Sequence, residues 1–193
     1  MNISILGVGY VGLVTGSCLS KYHNVICCDI DQKKIESLKN LDLPIYEEKL
    51  LDIVTSSYDN KSISFTSSLE ESIEDSEIIF LCVGTPERKD GSANLDYIFE
   101  AARNIASILT NDIFIVCKST VPVGTCEKIN DIIKEGLELR KKDIKVRVIS
   151  NPEFLREGSA VYDFLNPDRV IIGLEEDATA KETMENLYLD FVN

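Results

Sequence analysis

Short continuous apolar runs, separated by stretches long enough for a helix, constrain the fold of this chain more than any other feature of its sequence. The runs fall at 3–6, 25–29, 62–65, 78–83, 113–118, 146–149 and 170–172. Most lack apolar–polar alternation, which is the pattern of strands covered on both faces. Helical stretches lie between them, near 10–21, 31–40, 47–57, 68–75, 94–109 and 124–139. Their starts carry capping residues: Asp31 before one, Asn94 before another, and Ser67 with Glu70 or Ser68 with Glu71 as a capping box. Parallel strands need long crossovers, so this order predicts an α/β fold, a doubly wound and mostly parallel sheet with helices on both faces.

The chain has 193 residues, enough for one domain with a sizeable core and no need of disulfides or metals. Its 33 acidic against 20 basic residues give a net charge of −13, which argues against nucleic acid or an anionic membrane as partner. The opening residues lack a signal-peptide pattern, and no apolar run approaches the ~20 residues of a membrane span. A cytoplasmic location is the expectation. The six cysteines contain no C-x-x-C and mostly sit in or beside strand-like runs, as reduced core residues do. With His23 the only histidine, a metal site has no support.

The tail reads as a helix. Met184, Leu187, Tyr188, Phe191 and Val192 recur at helical spacing, and no glycine, proline or basic turn closes the segment. The expected division is a binding domain over 1–176 and, over 177–193, the start of a linker helix whose stripe packs on a following part; the alternative is an ordinary C-terminal helix docking back on its own domain.

The first strand runs directly into Gly7-Val8-Gly9-Tyr10-Val11-Gly12, a G-x-G-x-x-G pattern opening a helix. In a Rossmann-like fold the first glycine permits the tight turn and the second lets a diphosphate approach the backbone. The third allows close helix–strand packing. The helix N-terminus presents amides and a positive dipole end to the phosphates. The second strand ends in Asp29, seventeen residues beyond Gly12. A carboxylate there accepts hydrogen bonds from the adenosine ribose and repels an extra phosphate, which predicts NAD rather than NADP.

Ligands of open α/β sheets sit at the carboxyl ends of the strands. Three loops there use turn residues with polar groups: Val83-Gly84-Thr85-Pro86, Lys118-Ser119-Thr120 continuing to Thr125, and Asn151 to Gly158. Each alone is compatible with an ordinary turn; three at the edge that carries the glycine turn predict a shared site. Glu153 and Glu157 are four apart and share a face if their segment is helical, placed to hold a sugar hydroxyl or move a proton. The same spacing also fits a solvated helix start. Lys118 reads equally as a phosphate or ribose ligand or as an ion-pair partner.

Together these segments resemble the UDP-glucose/GDP-mannose dehydrogenase family over essentially the whole chain, and Pro44-Ile45-Tyr46-Glu47 is similar to its UDP-glucose branch. The resemblance implies oxidation of a nucleotide sugar's C6 alcohol to a carboxylate, using two NAD in turn, with UDP-glucose favoured as substrate. GDP-mannose or a UDP-N-acetylhexosamine is the alternative within the enzyme class, and a non-catalytic NAD-sensing module is the alternative outside it.

By resemblance the glycine turn and its Tyr10 and Val11, with Asp29 and Lys34, hold the adenosine and diphosphate side. Val83 to Pro86, Ser119, Thr120 and Glu157 line the nicotinamide side. Glu153, Phe154, Leu155, Arg156 and Glu157 contact the sugar, and Thr120, Glu153 and Glu157 are the catalytic candidates. The family's pattern Pro-Ile-Tyr-Glu-Pro-Gly-Leu continues here as Glu48-Lys49-Leu50. The family's cysteine nucleophile lies in a later domain, so the resemblance implies that these residues bind NAD without completing catalysis. It also implies a full-length protein that pairs as a homodimer or larger.

Overall fold

The computed structural model describes residues 1–192. In chain order the elements are β1 (Asn2–Leu6), α1 (Tyr10–Leu19), β2 (Asn24–Cys28), α2 (Gln32–Lys39), α3 (Leu50–Asp59), β3 (Ile63–Thr66) and α4 (Leu69–Ile73). There follow β4 (Ile78–Leu81), α5 (Asp96–Ile108), β5 (Ile113–Cys117), α6 (Thr125–Leu139), β6 (Val146–Ser150), α7 (Ala160–Leu165) and α8 (Ala178–Tyr188). The six strands form one sheet in the order β3-β2-β1-β4-β5-β6, every pair parallel. The order reverses at β1, which creates a crevice between the loops that follow β1 and β4. This is the predicted Rossmann-like arrangement.

Successive strand residues point to opposite faces. Ile3, Ile5, Ile78 and Phe80 enter one core, shared with α1, α3, α7 and α8. Leu6, Ile79, Leu81 and Ile115 enter the other, under α4, α5 and α6. Two buried faces per strand account for the unbroken apolar runs. Burial also pushes the thiols of Cys18 and Cys82 up to about 12, so they behave as small hydrophobic groups.

Local chemistry sets the helix starts. Asp31 accepts the amides of Lys33 (3.0 Å) and Lys34 (3.2 Å). Of the two candidate boxes, Ser68 is the cap, accepting Glu71 N at 3.2 Å. The box does not close, because Glu71 takes the Thr66 hydroxyl instead. Asn94 accepts Asp96 N at 3.0 Å.

Two expectations need correction. Residues 170–172 form no strand: one antiparallel bridge joins Ser150 to Gly173, after the segment has swung past the end of β6. Asn151 Nδ2 donates to Ile171 O at 2.8 Å and holds it there. The apolar stripe of α8 docks back on its own domain, the alternative reading of the tail, in place of a following part. Met184 and Leu187 are fully buried, and Phe191 meets Tyr22 and Phe164 edge-on at 5.2 and 5.4 Å. The helix α7, absent from the sequence reading, supplies Phe164, against which Tyr188 and Phe191 pack.

Candidate functional site at the carboxyl edge of the sheet

The glycine turn is built as its spacing predicts. Gly7 has φ +92°, and a Cβ there would come within 2.9 Å of the Cys82 backbone. A Cβ on Gly12 would lie 1.9 Å from Gly7 O, so the helix reaches the turn only because Gly12 has none. Gly9, by contrast, faces open space on the cavity side, with nothing within 4 Å of where a Cβ would sit. Among the described residues no side chain caps α1. Its first amides therefore face a cradle that a diphosphate fits.

Asp29 stands beside this cradle and is tied into it. Its Oδ2 accepts Val8 N at 2.8 Å and Lys34 Nζ at 2.7 Å; its Oδ1 accepts Asp31 N at 3.0 Å. Burial opposes its ionisation, but the Lys34 ammonium and the two amides outweigh that and hold the carboxyl below its usual range.

A cavity of about 660 Å³ runs along the strand ends from this pair. Asp29 and Lys34 line one end, Gly7, Gly9, Tyr10 and Val11 its middle, and Val83, Gly84, Thr85, Ser119 and Thr120 the other. The Ser119 hydroxyl donates to Val83 O at 2.7 Å and Thr85 Oγ1 to Thr120 O at 3.4 Å, which joins the loops after β4 and β5. Gly12 lies beneath the turn, outside the lining, and Pro86 turns away, its carbonyl accepting Asn94 N at 2.8 Å. Tyr97, Glu100, Ala101 and Asn104 of α5 complete one wall. Their i, i+3, i+4, i+7 spacing was the signal for a second, cavity-facing stripe on that helix.

A second cavity, of about 390 Å³, adjoins the first and is lined by Glu153, Phe154, Leu155 and Arg156 with Asp163 and Arg169. Lys118 and Glu153 line both cavities. The Lys118 side chain is buried, with Nζ 3.3 Å from Asn151 Oδ1. Burial pushes its ammonium down to about 8, against the pull of Cys82 and Glu153. Arg156 pairs with Asp163 at 2.7 Å and holds that carboxyl at about 2.

The segment 151–158 is not helical, so Glu153 and Glu157 do not share a helix face. Glu153 Oε2 accepts Leu155 N at 2.6 Å, a local bond that competes with helix formation. Glu157 is exposed in the turn before α7 and lines neither cavity.

Sequence reasoning assigned no role to Glu47 beyond its motif. This buried carboxylate accepts Gly158 N at 2.5 Å, Ala160 N at 3.0 Å and the Tyr10 phenol. It joins the first turn of α1 to the loop that lines the second cavity. Burial opposes its charge, yet these donors win and lower its pKa. Glu47→Gln should therefore cost about 1.5–3 kcal/mol at neutral pH, read as a fall in thermal midpoint. A carboxyl whose folded pKa is depressed contributes stability above its unfolded pKa, and that contribution is lost as pH falls through the folded value. The acid limb of the stability profile should accordingly be shallower in Glu47→Gln.

The match with known proteins decides the family. A family model described as "UDP-glucose/GDP-mannose dehydrogenase family, NAD binding domain" covers residues 1–192. The chain belongs to that family. It is 44% identical over its whole length to the UDP-glucose 6-dehydrogenase of Pseudomonas aeruginosa, covering 42% of that protein. Among solved structures, 98% of the chain overlays 44% of a UDP-glucose dehydrogenase from Pyrobaculum islandicum, with a TM-score of 0.89 and 35% identity. The GDP-mannose dehydrogenase of Pseudomonas aeruginosa gives a TM-score of 0.92 at 33% identity, over 99% of this chain and 44% of that one. The chain thus spans less than half the length of these relatives. Lys49 has φ 67°, a left-handed conformation that costs a side-chain-bearing residue about 1 kcal/mol.

Proposed function

We propose that this NAD-binding domain serves a UDP-glucose 6-dehydrogenase, with the dinucleotide along the larger cavity and the sugar end of the nucleotide sugar in the smaller one. The observation that carries this reading is the continuity of the two cavities at Lys118 and Glu153, with Asp29 and Lys34 at the far end. Asp29 takes the adenosine ribose, the exposed Ile30 offers an apolar face to the flat base, and the α1 amides take the diphosphate. Thr85 and Thr120 flank the nicotinamide.

NAD, when bound, accepts hydride from C6 of the sugar. Thr120 would orient the reacting hydroxyl, and Glu153, on the shared wall, would take its proton, a transfer worth about 10²–10⁴-fold. Glu157, outside both cavities, is the weaker candidate and reaches the substrate only if the turn before α7 moves. Phe154, Leu155 and Arg156 contact the sugar side.

Aldehyde oxidation through a thioester needs a thiolate. Five of the six cysteines are buried and the sixth lies in α6. The nucleophile is then supplied by a part corresponding to the remaining length of the relatives, with 177–193 leading toward it and the whole protein pairing with itself. Among the described residues no helix is long and apolar enough to cross a membrane. The reading places the protein in the cytoplasm.

The test is the dehydrogenase assay on the longer gene product with UDP-glucose, GDP-mannose and a UDP-N-acetylhexosamine. Two NADH formed per UDP-glucose supports the reading. Turnover confined to another sugar nucleotide reassigns the substrate, and NAD binding without turnover of any of them favours an NAD-sensing module.

A further inference from the structure

Lys118 is 5% exposed and, among the described residues, has no carboxylate within 4.0 Å. Its neighbours are neutral: Asn151 Oδ1 at 3.3 Å, the Tyr188 hydroxyl at 3.5 Å, and the faces of Phe164 and Tyr188 with centroids at 5.6 and 5.8 Å. Asn151 Oδ1 also receives the Tyr188 hydroxyl at 2.5 Å, which fixes its orientation. A buried cation is normally paired, because desolvation costs more than neutral hydrogen bonds return. This one instead lies in the wall of the larger cavity, at the end opposite Asp29, where a charge on the bound ligand would act on it.

We infer that Lys118 discriminates between the two redox states of the dinucleotide, weakening NAD+ relative to NADH. The inference rests on the proposed placement of the nicotinamide at this end of the cavity. The oxidised ring carries a positive charge and the reduced ring none. On alcohol oxidation, hydride carries two electrons from C6 to the ring, the ring's charge is lost, and the hydroxyl proton goes to a base. An ammonium beside the ring favours the product side of that step, so the bound coenzyme is a stronger oxidant than in solution. Lys118 is thereby a specificity-determining residue for the coenzyme's oxidation state.

The charged and titratable groups facing Lys118 are few. Glu153, from the loop after β6, acts against it; Cys82, after β4, and Tyr188, from α8, are held protonated by burial. With the Lys118 ammonium titrating near 8, NAD+ binding should strengthen relative to NADH as pH rises through that value.

The experiment is calorimetric titration of the 193-residue chain with NAD+ and with NADH from pH 6.5 to about 9.5. Lys118→Met should lower the NADH-to-NAD+ affinity ratio at pH 7 by about tenfold and flatten its pH dependence. Lys118→Arg should retain the ratio and lose the pH dependence, and Glu153→Gln should raise the ratio. An unchanged ratio in Lys118→Met, including equal weakening of both forms, would overturn the inference while leaving the cavity assignment standing. So would equal affinity of the parent chain for NAD+ and NADH at pH 7, which settles the matter if the variants fail to fold. Failure of the parent chain to bind either form would overturn the cavity assignment and the inference with it.

Discussion

Asp29→Ala should weaken NAD binding about 10- to 150-fold, equivalent to about 1.5–3 kcal/mol. The loss has two sources. On the proposed placement the ribose loses its acceptor, and the glycine turn loses the carboxylate that holds Val8 N at 2.8 Å. The same change releases Lys34, whose ammonium sits 2.7 Å from Asp29 Oδ2. A freed cation at that position attracts the extra phosphate of NADP, so affinity for NADP should fall far less than affinity for NAD. Calorimetry with both dinucleotides measures the two effects together. Unchanged NAD affinity in the variant would remove Asp29 from the site.

Gly12→Ala should be the more damaging change to the fold. The added Cβ would stand 1.9 Å from Gly7 O, a backbone atom that cannot swing aside as a side chain would. Either α1 retreats from β1 or the turn deforms, and overpacking of this kind costs about 3 kcal/mol. For a chain of this size that is a fall of roughly 6–12 °C in thermal midpoint. Dinucleotide affinity should fall with it, since the retreating helix carries the amides that the proposed placement sets against the phosphates. By contrast Gly9→Ala meets no atom of the protein. It should leave the midpoint nearly unchanged and weaken only binding, because its methyl group occupies the cradle. A variant pair with equal midpoints would refute this division of labour.

The parts of the site legible in the sequence are those whose chemistry is local. The glycine turn, Asp29 closing its strand, and the polar loops after β4 and β5 declare themselves because strand ends and tight turns demand particular residues. The unbroken apolar runs gave the two-layered helix cover for a similar reason. The parts that were not legible depend on what a segment meets. Glu47 looks like any acid near a helix start, and only the fold brings the amides of Gly158 and Ala160 to it. Lys118 carries no hint in sequence that its partners are an amide oxygen and a phenol. Glu153 and Glu157 were paired by helical spacing, and a local hydrogen bond to Leu155 N broke the helix on which that spacing relied. The helix α7 is six residues long, too short to show a periodicity. Without it the sequence offers no visible partner in the same domain for the stripe on α8, whose Met184 and Leu187 are buried there.

The position of Glu47 has a consequence for exchanging segments between members of this family. One carboxylate receives both a phenol from the dinucleotide turn and two amides from the loop beside the smaller cavity. Transplanting residues 151–158 from a relative with a different substrate therefore disturbs the coenzyme pocket as well, unless 44–50 is carried across with it. Chimeras that move both segments should keep parental NAD affinity, and those that move one should not.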